Sequence, residues 1–154
     1  MSAYGEMDHA LAGLIYGLDY EVESLIAASG VTFEFGDPVF VDEEDESIAY
    51  EPDSTDASLH FAGIAIISQR SFADSEGEYP PYDTVNVLRK GKVWVTVASG
   101  ITNCAQKAAY VINLTSDADY KEFTSTSGSN YDCGCYFRSN ADNGLAVLEV
   151  RGLK

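Results

Sequence analysis

The sequence predicts an all-β protein, a compact, jelly-roll-like β-sandwich or barrel with a glycine-punctuated N-terminal arm. Short runs of β-branched and aromatic residues recur along the chain, and segments rich in Gly, Ser, Thr and Asn separate them at near-regular spacing. Only Tyr20–Ala28 has a helical pattern, and it is weak. The 154 residues have the size of one domain, so we expect a single domain over residues 1–154.

The arm comprises residues 1–30 and precedes a β-rich body of residues 31–154. Four glycines interrupt any long helical pattern in it: Gly5, Gly13, Gly17 and Gly30. The arm also carries more large apolar side chains than a solvated tail would, among them Tyr4, Leu14 and Tyr16. We therefore expect the arm to pack on its own domain or on a neighbouring molecule.

The body begins with predicted strands separated by a turn. Residues Val31–Phe35 alternate apolar and polar side chains, the period-two pattern of a half-buried strand. A turn is predicted at Gly36-Asp37-Pro38, and the β pattern resumes at Val39–Val41. Farther along, Leu59–Ile67 is apolar at positions that would point to both faces, which predicts a fully covered strand.

A tight β-hairpin is predicted around Lys90-Gly91. Two β-rich runs, Thr84–Arg89 and Lys92–Val97, flank these two residues, and such a spacing with a terminal glycine is typical of a hairpin. One face would carry Leu88, Val93, Val95 and Val97, and the other Val85, Val87 and Trp94. Because both faces are largely apolar, one can cover the core and the other can meet another element or another subunit.

Four more short strands are predicted toward the C-terminus, at Ala109–Leu114, Asp119–Thr124, Tyr131–Phe137 and Leu145–Arg151. Turn-forming segments separate them, such as Ser125–Asn130 and Asn140–Gly144.

The chain is strongly acidic, with 25 Asp and Glu against 9 Lys and Arg and a net charge of −16. Residues 1–69 contain 15 of the acidic residues and no Lys or Arg, and the densest run, Asp42–Glu46, opens an acidic loop over residues 42–57. This loop is predicted to be solvated, or to dock on a basic partner; calcium binding is disfavoured because the EF-hand spacing is missing. The charge argues against a nucleic-acid partner, and no apolar run approaches the ~20 residues of a membrane span.

Three cysteines, Cys104, Cys133 and Cys135, form an odd set without the C-x-x-C spacing of redox or zinc sites. In a strand, Cys133 and Cys135 would point to the same side, so we interpret them as small buried packing groups. The apolar stretch Ala10–Leu18 follows acidic residues, unlike the basic n-region of a signal peptide. We therefore expect synthesis in a reducing cytoplasm.

Motifs for catalysis are missing. The two histidines are His9, in the arm, and His60, which we interpret as a satisfied core or rim histidine. No G-x-S-x-G, H-E-x-x-H or phosphate-binding glycine motif occurs. No catalytic residue, metal or cofactor is predicted, although a small hydrolase using two carboxylates stays open as a minor hypothesis.

Residues for contact with a protein partner are predicted in three places: the arm, a rigid aromatic-proline loop and the apolar hairpin. They are Tyr4, Leu14, Tyr16, Tyr79, Pro80, Pro81, Tyr82 and Trp94. Aromatic and proline side chains are suited to this because they lose little conformational freedom on binding. The alternative is that each packs on its own domain.

The order of several segments resembles the cement, or decoration, proteins of tailed-phage capsids. These segments are Phe33–Val39 (FEFGDPV), Phe61–Ala65 (FAGIA), Val85–Val95 (VNVLRKGKVWV) and Gly144–Val150 (GLAVLEV). The resemblance covers about residues 5–150, and the FAGIA segment and the predicted hairpin are its most specific parts. Two regions depart from the pattern: Cys133-Gly134-Cys135 with its polar approach, Thr124–Asn130, and the acidic insertion at 42–56.

The resemblance implies a non-enzymatic virion structural protein that binds the exterior of a phage capsid and cements neighbouring major capsid proteins. It further implies a homo-dimer or homo-trimer, made in the host bacterial cytoplasm, with no cofactor, nucleic acid or membrane among its partners. The alternative function is a carbohydrate- or receptor-binding β-sandwich module displayed on a virion. In that case Trp94, Tyr79 and Tyr82 would form a stacking platform.

Overall fold

A computed structural model describes residues 11–67 and 78–151. These residues form eleven strands and no helix, so the predicted all-β fold is confirmed. In chain order the strands are β1 (Ile15–Ala27), β2 (Phe33–Glu34), β3 (Pro38–Asp42), β4 (Asp45–Tyr50), β5 (Leu59–Ala65), β6 (Glu78–Tyr79), β7 (Thr84–Thr96), β8 (Ala108–Val111), β9 (Phe123–Thr124), β10 (Tyr131–Phe137) and β11 (Leu145–Arg151).

Nine strands form one mixed sheet in the order β1-β4-β3-β5-β7-β11-β10-β8-β9, while β2 and β6 form a separate two-stranded sheet. Strand β1 pairs with β4 in parallel and with β7 antiparallel. Strands β1, β4, β3, β5 and β7 therefore close into a five-stranded ring. The other four strands extend the sheet from β7, so β7 belongs to both halves of the fold.

Two apolar cores follow from this topology. The smaller core draws on all five ring strands and on β2 and β6: Leu25, Ala27, Phe33, Val39, Ala49, Ala62, Ala65, Tyr79, Val85 and Val87. The larger core joins β3, β5 and β7 to β8–β11 and includes Phe40, Phe61, Ile64, Leu88, Val93, Val95, Phe123, Phe137 and Leu148. Burying side chains of this size contributes roughly 1.5–3 kcal/mol each.

Strand β5 contributes to both cores and is covered on both faces as predicted except at the exposed His60, and it ends at Ala65 rather than at Ile67. Ala62 packs in the smaller core, whereas Phe61 and Ile64 pack in the larger one. The alternation between the two cores shifts by one residue at Gly63, whose φ is 155°. A Cβ there would lie 2.2 Å from the carbonyl oxygen of Leu88, so only glycine allows β5 to cross β7 this closely.

The prediction of a hairpin at Lys90-Gly91 is wrong. Strand β7 runs without reversal from Thr84 to Thr96, and its partners here are β1 and β11. Gly91 has a φ of 131°, and a Cβ on it would lie 2.7 Å from the Cβ of Tyr20. The glycine therefore marks a close approach of β1 rather than a turn.

The division of β7 side chains between two faces is nevertheless as predicted. Val85 and Val87 pack in the smaller core, while Leu88, Val93, Val95 and Val97 pack in the larger one. A β-bulge shifts the alternation of β7 side chains by one residue, because Val22 pairs with Leu88 but the preceding Glu21 pairs with Lys90.

The weak helical pattern at Tyr20–Ala28 does not form a helix either, because Tyr20–Ala27 belongs to β1. Leu25 and Ala27 alternate with exposed residues and pack in the smaller core, which is strand periodicity. The described part of the predicted arm is thus mostly a strand of the main sheet. Turns occur before and after this strand, at Ala12-Gly13 and around Gly30, whose φ is 74°.

The predicted acidic loop over residues 42–57 contains a strand. Glu43 and Glu44 form the turn of a hairpin between β3 and β4, and β4 occupies Asp45–Tyr50. Asp45 stabilises the start of β4 by accepting hydrogen bonds from the backbone N–H and the hydroxyl of Ser47, at 3.0 and 2.6 Å. These hydrogen bonds lower the pKa of Asp45. The remainder, from Glu51 on, is irregular.

The other predicted strands are present with altered lengths. The strand predicted at Val31–Phe35 corresponds to the shorter β2. Those predicted at Asp119–Thr124 and Ala109–Leu114 correspond to the shorter β9 and β8. Strands β10 and β11 have the predicted bounds.

The three cysteines are buried, unbridged thiols. Cys133 and Cys135 pack in the larger core, as predicted from their spacing. The Cys133 thiol donates a hydrogen bond to the carbonyl of Ala109 at 3.4 Å, and that of Cys104 donates to the carbonyl of Ser139 at 3.4 Å. Burial raises the pKa of Cys104. A hydrogen bond with Cys133, together with burial, raises the pKa of Cys135.

Candidate functional site

Three of the predicted contact residues, Leu14, Tyr16 and Trp94, lie side by side where β1 begins and β7 ends. The backbone N–H of Trp94 donates to the Leu14 carbonyl at 3.0 Å, and that of Gly13 donates to the Trp94 carbonyl at 2.8 Å. The rings of Tyr16 and Trp94 meet edge to face, with centroids 6.1 Å apart and planes at 81°. We call these three residues the aromatic patch.

The aromatic patch continues into an exposed apolar strip along β1. Of the nine large hydrophobic side chains exposed among the described residues, seven fall between positions 11 and 26: Leu11, Leu14, Tyr16, Leu18, Tyr20, Val22 and Ile26. Leu18 is 96% exposed and Tyr16 is 52% exposed. Exposed apolar side chains are common singly, but a contiguous set indicates a contact surface.

The most exposed member of the strip, Leu18, protrudes because β1 contains a four-residue bulge. Tyr16 pairs with Lys92 and Glu21 pairs with Lys90, so four residues of β1, Gly17 to Tyr20, stand opposite Gly91 alone. Leu18 lies within this bulge and projects into solvent. Asp19 and Tyr20 lie close over Gly91, whose missing side chain provides the necessary space. The bulge therefore places an apolar side chain outside the sheet at a defined position.

The aromatic-proline loop lies at the opposite end of β1. The backbone N–H of Tyr82 donates to the Ala27 carbonyl at 3.0 Å, and Tyr82 is 69% exposed with a φ of 67°. Pro80 and Pro81 are half-buried. Ten residues of strand separate this end of β7 from Trp94, roughly 30 Å at the rise of a strand. The predicted contact residues thus fall into two separate groups.

Tyr79 belongs to neither group, because its ring is buried in the smaller core. Its hydroxyl donates to the carbonyl of Ile66 at 2.6 Å, and its ring packs against Phe35 with centroids 5.5 Å apart. A side chain buried in this way cannot contact a partner, so we leave Tyr79 out of the contact surface. Tyr4 lies outside the described residues.

The stacking platform expected for a carbohydrate-binding module is not assembled. It would require Trp94, Tyr79 and Tyr82 to present their rings together, but Tyr79 is internal and Tyr82 stands at the far end of β7 from Trp94.

A half-buried charged cluster, which sequence reasoning missed, connects the ring to the loop before β9. Lys121 pairs with Glu51 and lies 3.8 Å from a carboxylate oxygen of Asp37. Burial raises the pKa of Asp37 to about 7, although the Lys121 ammonium and the Glu34 backbone N–H, a hydrogen-bond donor at 2.9 Å, both lower it. The sequence identified Asp37 only as a turn residue.

The acidic hairpin between β3 and β4 is solvent-exposed, and one of its carboxylates is paired. His60 Nε2 lies 3.0 Å from a carboxylate oxygen of Glu43, and both side chains are more than half exposed. The prediction of a satisfied rim histidine therefore agrees with the position of His60. His9 lies outside the described residues.

Two further surveys cover the residues that the structure describes. Across residues 11–67 and 78–151, no three His, Cys, Asp or Glu side chains are grouped so that they could hold a metal ion. The same ranges contain no helix of the length and apolarity needed to cross a membrane.

An all-β fold with an exposed apolar strip is typical of proteins that act through surface contacts. The sequence matches the family described as structural cement protein (E217 gp24/Pam3 gp6) over residues 2–151. The chain therefore belongs to this family, and its role in the phage virion is structural. A comparison with curated proteins finds no match.

The fold is also found in a solved structure of the capsid of Myoviridae phage XM1. A chain of that structure superposes with a TM-score of 0.71 at 21% sequence identity, covering 93% of this chain and 91% of that one. The predicted resemblance to phage cement proteins is thus confirmed by the family match, and the shared fold extends over nearly the whole chain.

Proposed function

We propose that this protein binds the exterior of an assembled phage capsid and cements neighbouring major capsid proteins without catalysing a reaction. The single observation that carries the proposal is the apolar strip on β1, which is exposed although the chain is otherwise strongly charged. A structural cement protein needs such a surface, because burying apolar area supplies the affinity while many copies on a symmetric shell add their contributions.

The two groups of contact residues suit a bridging role. The aromatic patch and the Tyr82 loop occupy opposite ends of β1, roughly 30 Å apart. Two contact regions at this separation allow one molecule to touch two neighbouring capsid subunits. We further propose that the protein works as a homo-dimer or homo-trimer, since oligomers that match the symmetry of the shell bind through several sites at once.

The test is addition of purified protein to expanded capsids assembled without it, with occupancy measured by electron cryomicroscopy and shell stability by calorimetry. We expect density on the outer surface and a higher melting temperature of the shells. Trp94→Ala should weaken binding by about tenfold or more, as central aromatic contacts do. Leu114→Ala is the matched control, because Leu114 is 46% exposed but lies outside the strip. Absence of outer density with the wild-type protein would refute the proposal.

A further inference from the structure

A groove lies beside the aromatic patch, where the bulge in β1 uncovers part of β7. Lys90, Gly91 and Lys92 form its floor, Asp19 of the bulge forms one wall, and Glu149–Arg151 of β11 form the other. Its volume is about 340 Å³, at the low end for ligand-binding clefts. The groove exists because four residues of β1 stand opposite one residue of β7.

The floor of the groove carries two lysines without carboxylate partners. Nine Lys and Arg occur in the chain, and seven of them lie within the described ranges. Four of these seven, Arg89, Lys121, Arg138 and Arg151, are near a carboxylate. Lys90 and Lys92 are exposed, and within residues 11–67 and 78–151 neither forms an ion pair.

These lysines are unpaired in a chain with nearly three acidic residues for each basic one. Lys90 and Lys92 are two positions apart on β7, so their side chains leave the sheet on the same face. Arg151 of β11 lies opposite Lys90 of β7 in the strand register, and its guanidinium lies 4.2 Å from the ring centre of Tyr136. Three cationic groups therefore converge on one groove.

The carboxylates of the groove offset this charge only in part. Glu149 is held by Arg138, whose guanidinium also donates to the side chain of Gln106 at 2.8 Å. Asp19 is the other carboxylate in the lining. Because Tyr16 pairs with Lys92, the groove is continuous with the aromatic patch. The combined surface offers ammonium groups beside aromatic rings.

We infer that this groove and the aromatic patch together bind an acidic segment of the major capsid protein, an inference that rests on the proposed function. Carboxylates of the segment pair with Lys90, Lys92 and Arg151, and its apolar side chains pack on Tyr16 and Trp94. The docking surface thus combines three cationic groups with two carboxylates, Asp19 and Glu149, in its lining. The acidic hairpin, which the sequence suggested as a dock for a basic partner, faces solvent.

The charge distribution favours a protein segment over other anionic partners. A nucleic acid presents a continuous row of phosphates, and a chain of net charge −16 repels it while three cations neutralise little of it. A second copy of this chain carries the same net charge, so association through the groove would have to overcome long-range repulsion. A short acidic segment places its charges beside the three cations, and screening over roughly 10 Å reduces its repulsion by the rest of the chain.

The experiment measures binding of single charge-reversal variants to expanded capsids assembled without this protein. Lys92→Glu should bind about tenfold more weakly or worse, and Lys92→Gln should be intermediate, because repulsion replaces attraction in the first and attraction is merely lost in the second. Lys107→Glu is the matched control: Lys107 is also exposed, does not line the groove, and the change in net charge is the same. It should bind within about threefold of wild type, and added salt should weaken wild-type binding more than binding of Lys92→Glu.

The outcomes separate this inference from the proposed function. If wild-type protein fails to bind the capsids, the proposed function fails and the inference falls with it. If wild type binds and Lys92→Glu binds equally well with an unchanged melting temperature, only the inference is overturned. It is also overturned if Lys92→Glu dissociates an oligomer of the free protein in sedimentation while capsid binding persists, or if wild type shifts duplex DNA in a gel and the variant does not.

Discussion

The α-carbon of Gly63 faces the backbone of Leu88 so closely that a Cβ on residue 63 would lie 2.2 Å from the Leu88 carbonyl oxygen. Next to this contact β5 pairs with β7, and the alternation of β5 side chains between the two cores shifts by one residue. The contact is with backbone, which cannot rotate away as a side chain could.

Gly63→Ala should therefore destabilise the protein by roughly 3 kcal/mol or more, through the clash and the positive φ together. Urea denaturation followed by circular dichroism measures this loss. Gly100→Ala is the control, because Gly100 has a φ of 85° but nothing within 4 Å of its Cβ position; it should lose about 1–2 kcal/mol. Equal losses in the two variants would contradict the close crossing.

Gly91 should be intolerant of a side chain for a related reason. A Cβ there would lie 2.7 Å from the Cβ of Tyr20 and 3.1 Å from the carbonyl oxygen of Asp19. We expect Gly91→Ala to cost roughly 2–3 kcal/mol and to displace the β1 bulge, which hydrogen exchange at residues 17–20 would detect. Gly30→Ala, with a φ of 74° and open space around it, is the matched control. A Gly91→Ala protein with wild-type exchange at the bulge would show that the bulge does not depend on this contact.

The stability of the protein should depend on pH through Asp37. Its pKa is about 7 in the folded protein, mainly because of burial, against 3.8 without that environment. Between these values the folded state holds a proton that the unfolded state releases, so the contribution of Asp37 to stability is full below pH 3.8 and is lost as the pH rises through 7. The loss is at most about 1.4 kcal/mol for each pH unit in this window.

Asp37→Asn keeps a neutral side chain and removes this titration. Its stability relative to wild type should rise between pH 4 and 7 and then level off, which thermal denaturation at a series of pH values would measure. Asp45→Asn is the control with the opposite sign, because hydrogen bonds from Ser47 lower the pKa of Asp45. The folded-state advantage of Asp45 is present at neutral pH and is lost on acidification. A difference between wild type and Asp37→Asn that does not vary with pH would contradict the assignment.

The three thiols should be unreactive while the protein is folded. Cys104, Cys133 and Cys135 are buried and unbridged, and the pKa values of Cys104 and Cys135 are raised. Because the thiolate is the reactive form, a thiol reagent at pH 8 should modify none of them in the native protein and all three after denaturation. Rapid modification of native protein would show that the larger core opens easily around β10. Fewer than three reactive thiols after denaturation without reductant would indicate a disulfide.

The fold class, most strand positions and part of the proposed contact surface could be predicted from the sequence. A continuous apolar run located β5, and short β-rich runs between turn-forming segments located β10 and β11, since a buried strand selects its residues locally. The grouping of Leu88, Val93, Val95 and Val97 was also predictable, because their shared apolar character reflects one core. Aromatic and apolar character singled out Leu14, Tyr16 and Trp94, which the structure places together.

Other features depended on contacts between residues distant in sequence. Gly91 has the local signature of a hairpin turn, yet its conformation is set by Tyr20, some seventy positions earlier. The exposure of Tyr82 and the burial of Tyr79 differ because only Tyr79 faces the core of the ring. The cluster of Asp37, Glu51 and Lys121 likewise assembles from three loops.

By itself, the sequence determined that this is an acidic all-β domain of the cement type, because side-chain alternation, composition and motif order are properties of neighbouring residues. Only the tertiary structure decided that β1 closes a five-stranded ring, that its bulge opens a lysine-lined groove, and that the contact residues form two groups. The physical reason is that strand pairing and ion pairing bring together groups far apart in the chain, and local preference does not specify which partner each group meets.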